Sequence, residues 1–251
     1  MKVITKTISI SFYGRLKDFL PKKSASVIKH QFIDRTSVKD LIESFNVPHT
    51  EVDVILVNGK SVDFSYLIDD GDKVKVYPPA YELNLRNCKR LSKQLKSEPK
   101  FVCDVHLGML ARNLRKFGMD VLYNNSYSDE TIAQISIQEK RIILTKDVGL
   151  LKRKDVRYGY FVRNKNPDKQ TIEILKIFPV LKYMNPFSRC LECGSKIRRI
   201  SRAKAILKLP DHFFEQGMSF YFCSNCDKIY WQGSHLIKMA KELKSLLKFV
   251  I

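Results

Sequence analysis

The sequence predicts an α/β and α+β multidomain protein that ends in a small metal-bound β-module. Three observations predict it. The first 80 residues alternate polar and apolar positions around one amphipathic helix. From Lys100, short apolar runs alternate with helical patterns, the order that builds a parallel sheet. Two Cys-x-x-Cys pairs follow, Cys190/Cys193 and Cys223/Cys226, a spacing suited to a tetrahedral metal site.

Residues 3–14 (VITKTISISFYG) alternate like a half-buried strand. TSVKDLIESFNVP (36–48) opens on a Thr/Ser cap, spaces Val38, Leu41, Ile42 and Phe45 as one helical face, and stops before Pro48. VDVILVNGKSV (52–62) is a strand running into an Asn-Gly hairpin turn. DDGDKVKVYPP (69–79) is a turn and a last strand closed by prolines. One helix among several strands in about 80 residues predicts a ubiquitin-like β-grasp domain over 1–80. Residues 81–99 are polar and basic, end at Pro99, and read as a solvated linker. Cys88 within them receives no role.

KFVCDV (100–105) is a short apolar strand. HLGMLARNLRKFG (106–118) places Leu107, Leu110, Ala111 and Leu114 on one face, with Gly118 as the stop. MDVLYNN is a second strand, SDETIAQISIQEK a capped helix, and RIILTKD a third strand. HLIKMAKELKSLLKFVI (235–251) is an amphipathic terminal helix expected to dock on the core.

The chain has 251 residues and a formal net charge of +19. Residues 1–80 hold 12 Lys and Arg against 10 Asp and Glu, so almost all of the excess lies in the remainder. A basic surface there favours a phosphate-rich partner, with nucleic acid first and an anionic membrane second. The N-terminus lacks an apolar signal core, and no run approaches the ~20 apolar residues of a membrane span. A cytoplasmic protein is expected, and paired rather than scattered cysteines agree.

Acids stand at strand ends or in the turns around them. Asp104 follows one strand, Asp147 follows another, Asp120 begins a third, and Asp129 opens the intervening helix. A parallel sheet collects ligands at the carboxyl ends of its strands. Oxygen ligands of like charge there suit Mg²⁺ or Mn²⁺, which can activate water against a phosphodiester. Asp104, Asp129 and Asp147 are the expected metal ligands, with Asp120 a further catalytic candidate. Helix capping remains open for Asp129, and a surface strand start for Asp120. Arg112, Arg115, Lys146 and Arg153 are candidate phosphate contacts, the alternative for each being a solvated polar face. The four cysteines, Cys190, Cys193, Cys223 and Cys226, are expected to hold structural Zn²⁺. His106, Trp231 and His235 are secondary candidates, for the acidic site or for packing and RNA.

The wording FYGRLKDFLP…VPHTEVDVILVNGKSVDFSYLIDDGDKVKVYPP resembles the ubiquitin-like domain at the N-terminus of Mut-seven C-terminal RNase proteins. FVCDVHLGMLARNLRKFGMDVLYNN…SDETI…RIILTKDVGLLKR is similar to the RNase domain of that family, over Lys100 to about Met239. The resemblance implies a PIN-like fold over 100–184, a zinc ribbon with a C-terminal helix over 185–251, and a metal-dependent RNase activity. The family's acids fall on Asp104, Asp120, Asp129 and Asp147. The usual Thr-Arg-Asp is Thr145-Lys146-Asp147 in this chain, and lysine lacks the bidentate fork of arginine. Ubiquitin-like carriers react through a free Gly-Gly end, whereas this chain continues past Tyr77-Pro78-Pro79-Ala80. A docking or scaffold role, with a possible protein partner, is therefore expected of the first domain. The rival to a ribonuclease is a non-catalytic RNA- or ribosome-binding adaptor.

Overall fold

The computed structural model describes residues 5–79, 87–92, 97–209 and 218–250. The chain divides into two compact units, Met1–Gln94 with Asp147–Phe161, and Leu95–Lys146 with Val162–Ile251. Much of the expected linker, 81–86 and 93–96, lies outside the described residues.

In the first unit, β1 (Lys6–Phe12), β2 (Ile28–Phe32), α1 (Val38–Ser44), β3 (Val54–Val57), β4 (Lys60–Val62) and β5 (Lys73–Tyr77) follow one another. The sheet order is β2-β1-β5-β3-β4, with β1 and β5 parallel and the other pairs antiparallel. This is the expected β-grasp arrangement. Ser37 caps α1 by accepting from Asp40 N–H at 3.1 Å, and Val38, Leu41 and Ile42 turn into a core with Ile8, Ile10 and Val76. Asn58 and Gly59 both take positive φ, 50° and 83°, as the tight β3–β4 hairpin demands. β2 has no counterpart in the sequence reading. It is an edge strand that buries little beyond Phe32, so its apolar signal is faint.

Residues 88–92 lie against this unit. Arg90 pairs with Asp53 at 2.5 Å, Ser92 N–H donates to Asp53, and Leu91 packs on the core. The segment 147–161, with short helix and strand pieces at Val148–Lys152 and Gly159–Phe161, is also held there. His49 reaches Glu43 Oε1 at 2.7 Å and Val156 O at 2.8 Å. Glu51, 1% exposed, accepts from Phe161 N–H at 2.7 Å and from Arg15 at 3.1 Å.

The second unit begins with β6 (Lys100–Cys103), α2 (Gly108–Lys116), β7 (Asp120–Leu122), α3 (Asp129–Glu139) and β8 (Ile142–Thr145). β6 pairs in parallel with both β7 and β8, which bears out the parallel-sheet prediction. Phe101, Val102, Ile143 and Leu144 are buried on both faces, as a sheet covered by helices requires. Gly118 ends α2 at a φ of 84°, and a Cβ there would meet Asn185 O at 2.1 Å. The helix Pro167–Ile177 packs on α2.

A three-stranded antiparallel ribbon follows, from strands Arg198–Ile200, Phe220–Phe222 and Ile229–Trp231. The last helix, Ser234–Leu247, buries Met239 and Leu243, and its Glu242 pairs with Lys116 at 3.2 Å, so it docks as expected. Among the described residues, no helix is long and apolar enough to cross a membrane.

Candidate functional site

Asp104 follows β6 directly, and its backbone N–H donates to Leu144 O on β8 at 3.0 Å. That pairing carries its carboxylate to the carboxyl edge of the parallel sheet, where it is 5% exposed. Oδ2 accepts from the Thr145 hydroxyl at 2.6 Å, and Oδ1 accepts from His106 N–H at 3.4 Å. Among the described residues, no ion pair includes Asp104. A divalent cation is a natural complement to a buried carboxylate whose hydrogen-bond donors are neutral.

Asp129 is the first residue of α3 and is exposed. Ser128 takes the capping role, accepting from Thr131 N–H at 3.2 Å, which leaves Asp129 as an acid at the positive helix end. In the first unit, Asp147 caps Val148–Lys152 through Gly149 N–H at 2.6 Å and is exposed. Among the described residues, no three acids bring their oxygens within 4.8 Å of one another, whereas the four cysteines bring their sulfurs that close.

Asp120 has both oxygens taken. Arg141 Nη1 donates to Oδ1 at 2.7 Å and Arg189 Nη2 to Oδ2 at 3.1 Å. Burial resists the charge, but the Arg141 hydrogen bond and the charges of Arg141 and Arg189 prevail and hold this carboxyl below its usual range. Asp120 is thus a half-buried carboxylate held in a structural ion pair, which argues against its place as a catalytic acid.

The candidate phosphate contacts also separate. Arg115 is 2% exposed, so it offers nothing to a phosphate, and that expectation is corrected. It turns inward because α2 aims it at the cysteine loop, where it donates to Val121 O at 3.1 Å, Leu191 O at 3.2 Å and Glu192 O at 2.5 Å. Arg112 pairs with Glu192 at 2.8 Å on the surface. Lys146 donates to Val162 O at 3.1 Å and Asn164 O at 2.6 Å. An ammonium with three rotatable donors suits that carbonyl cluster. Arg153 is partly exposed and pairs with Asp155 at 3.4 Å.

Cys190 and Cys226 place their sulfurs 3.4 Å apart, as do Cys193 and Cys223. These separations exceed a disulfide bond by more than an ångström. A tetrahedron of metal–sulfur bonds of about 2.3 Å has edges of roughly 3.8 Å, close to what the four thiols present. The Cys190–Cys193 turn closes when Gly194 N–H donates to Cys190 O at 2.9 Å. Gly194 adopts a φ of 81°, and a Cβ there would strike Val121 O at 2.6 Å. Burial raises the Cys193 thiol, but hydrogen bonds from Ser195 and Asn225 outweigh it and bring it down to about 6. Cys223 and Cys226 are pushed up, chiefly by desolvation. Crowded sulfurs of this kind share protons, and a cation that displaces them would lock the ribbon.

Thr145, Arg141 and Arg189 were not singled out from the sequence. Thr145 stands at the end of an apolar run beside a flagged aspartate, which is a usable signal. The two arginines had none, because their partners are remote.

No curated protein matches this sequence. Among solved structures, it is similar to the Haloferax volcanii HVO 2177 protein at 20% identity and a TM-score of 0.27, covering 32% of this chain and 88% of that one. It is also similar to a putative molybdopterin converting factor, subunit 1, from Pyrococcus furiosus, at 22% identity and a TM-score of 0.25, covering 30% of this chain and 99% of that one. Residues 5–84 match the Mut7-C ubiquitin model, and residues 99–243 match the Mut7-C RNAse domain model. With more than half of its length matched, the chain belongs to the Mut7-C RNAse domain family and carries that family's ubiquitin-like domain at its N-terminal side.

Proposed function

We propose that this protein is a metal-dependent ribonuclease. The carrying observation is Asp104, a carboxylate buried at the carboxyl edge of the parallel sheet, hydrogen-bonded to Thr145 and without an ion pair among the described residues. Asp129 and Asp147 are its proposed companions as Mg²⁺ or Mn²⁺ ligands, being exposed acids at the starts of helices. Such an ion, when bound, would activate a water and stabilise charge on a scissile phosphate. The chain's own contribution is to hold Asp104 in one orientation through Thr145. Zn²⁺ is the proposed structural metal of the four cysteines, since an all-thiolate tetrahedron is its preferred site. Arg112, Lys146 and Arg153 are retained as candidates near the RNA, and a cytoplasmic location is part of the proposal.

A second reading, an RNA- or ribosome-binding adaptor without catalysis, is favoured by one observation. Asp147 is engaged as a helix cap. Labelled single-stranded and structured RNAs, incubated with Mn²⁺ or with EDTA beside Asp104→Asn, separate the two. Cleavage that needs Mn²⁺ and is lost in the variant supports the ribonuclease. Tight, salt-sensitive binding without cleavage supports the adaptor.

A further inference from the structure

A cavity of about 1040 Å³ opens beside the four-cysteine ribbon. Its walls come from the turn at 185–188, the hairpin of strands Phe220–Phe222 and Ile229–Trp231, and the start of the last helix. Phe187, Tyr221, Tyr230 and Trp231 are among the lining residues, as are Gln232 and His235. The Tyr230 hydroxyl lies 3.1 Å from Cys190 Sγ and accepts from Leu191 N–H at 3.1 Å, which ties this wall to the cysteine site. Phe187 adopts a φ of 60°, a region that bulky side chains avoid. Its backbone is kept there because its N–H donates to Lys116 O at 3.0 Å and Asn185 N–H donates to Phe117 O at 3.2 Å. The turn is thus clamped to the end of α2, with Phe187 among the residues that line the cavity. From residue 185 onward the sequence holds twelve Lys and Arg against five Asp and Glu, a basic stretch of chain.

We propose that this cavity receives an unstacked base of single-stranded RNA, a reading that rests on the ribonuclease function for its choice of nucleic acid. Every base presents a π-face, and proteins that hold single strands do so on aromatic side chains, which this wall holds in number. A pocket of this volume exceeds one base and leaves room for its sugar. Gln232 and His235 supply hydrogen-bonding groups for a base edge. No side chain caps the last helix at Gly233, so backbone N–H groups there favour the adjoining phosphate. Bases in a duplex remain stacked and would not enter.

Trp231 is the chain's sole tryptophan, so its emission reports on this cavity alone. The full-length, metal-loaded protein is titrated with a short oligoadenylate, and Trp231 emission is read beside the anisotropy of a labelled copy. Emission is expected to change and to saturate together with the anisotropy, while a duplex of equal length leaves it unchanged. Phe187→Gly removes a ring yet suits the positive φ, and Tyr221→Ala removes a second ring. Each is expected to weaken single-strand binding roughly tenfold. Binding by anisotropy with silent Trp231 emission, together with wild-type affinity in Phe187→Gly, would overturn the proposal. So would no binding of single strands, or an equal emission change with duplex. RNA cleavage with silent emission removes the pocket and leaves the ribonuclease. An emission change without cleavage does the reverse.

Discussion

The Thr145 hydroxyl donates to Asp104 Oδ2 at 2.6 Å, joining the ends of two parallel strands through side chains that are both nearly inaccessible. The bond fixes the direction of a buried carboxylate, and it separates two roles that one substitution would confuse. Asp104→Asn keeps the shape and removes the charge. Metal-dependent RNA cleavage is expected to fall by at least about a hundredfold, the scale of losing a charge stabiliser at a reacting phosphate, with the fold retained by circular dichroism. Thr145→Val removes the donor and leaves the carboxylate less satisfied. Its expected cost is about 1–3 kcal/mol in denaturant unfolding. Full cleavage by Asp104→Asn would remove this residue from the reaction.

Asp120 between Arg141 and Arg189 predicts an acid-sensitive second unit. The folded carboxyl ionises more readily than the unfolded one, so its contribution is complete above the unfolded value of about 4 and fades as pH falls below it. Melting temperature should drop over that window. In Asp120→Asn the drop should be shallower, while the melting temperature at neutral pH should be lower. Arg189→Met leaves one oxygen of a half-buried carboxylate without its cation and should cost about 3–5 kcal/mol, as breaking buried pairs does. An unchanged acid profile in Asp120→Asn would refute the assignment.

The cysteine tetrad predicts a metal-dependent ribbon. A strong chelator should lower the melting temperature of the full chain and quench the ordered amide signals of residues 190–200 and 220–231. Cys226→Ser should bind less than one equivalent of metal by elemental analysis and unfold earlier, since binding energy at such sites is folding energy. Insensitivity to chelation would show that the tetrad is not a metal centre.

His49 and Glu51 predict that the ubiquitin-like unit braces the segment 147–161. Glu51→Ala removes the acceptor of Phe161 N–H and leaves Arg15 without its carboxylate. Faster hydrogen exchange at Phe161 and a loss of roughly 1–3 kcal/mol are expected. His49→Ala should loosen the chain at Val156, whose carbonyl meets the imidazole at 2.8 Å. Exchange rates unchanged in both variants would mean that the segment is held by its packing alone.

Much of the fold was legible because its signals are local. The cap at Ser37, the Asn58-Gly59 turn, the stop at Gly118 and the two Cys-x-x-Cys knuckles each depend on residues within a few positions of one another. β2 was not legible, since an edge strand buries few of its side chains and leaves little periodicity to read. At the site, an aspartate ending an apolar run was readable at Asp104, and the acid at Asp147 was equally visible.

What sequence alone determined is therefore the order of the modules, their strand and helix periods, and the donor chemistry of cysteines and acids. Tertiary structure decided which charged groups those chemistries keep. Arg112 and Arg115 stand on one helix and look alike in sequence, yet Arg112 lies at the surface while Arg115 is buried against carbonyls at Leu191 and Glu192, 76 and 77 residues away. Asp104 and Asp120 both border strands of one sheet. Among the described residues, the Asp104 carboxylate meets a hydroxyl and an amide, while Asp120 meets two arginines. The physical reason is that burial and pairing are set by partners remote along the chain, and a local pattern carries no record of them.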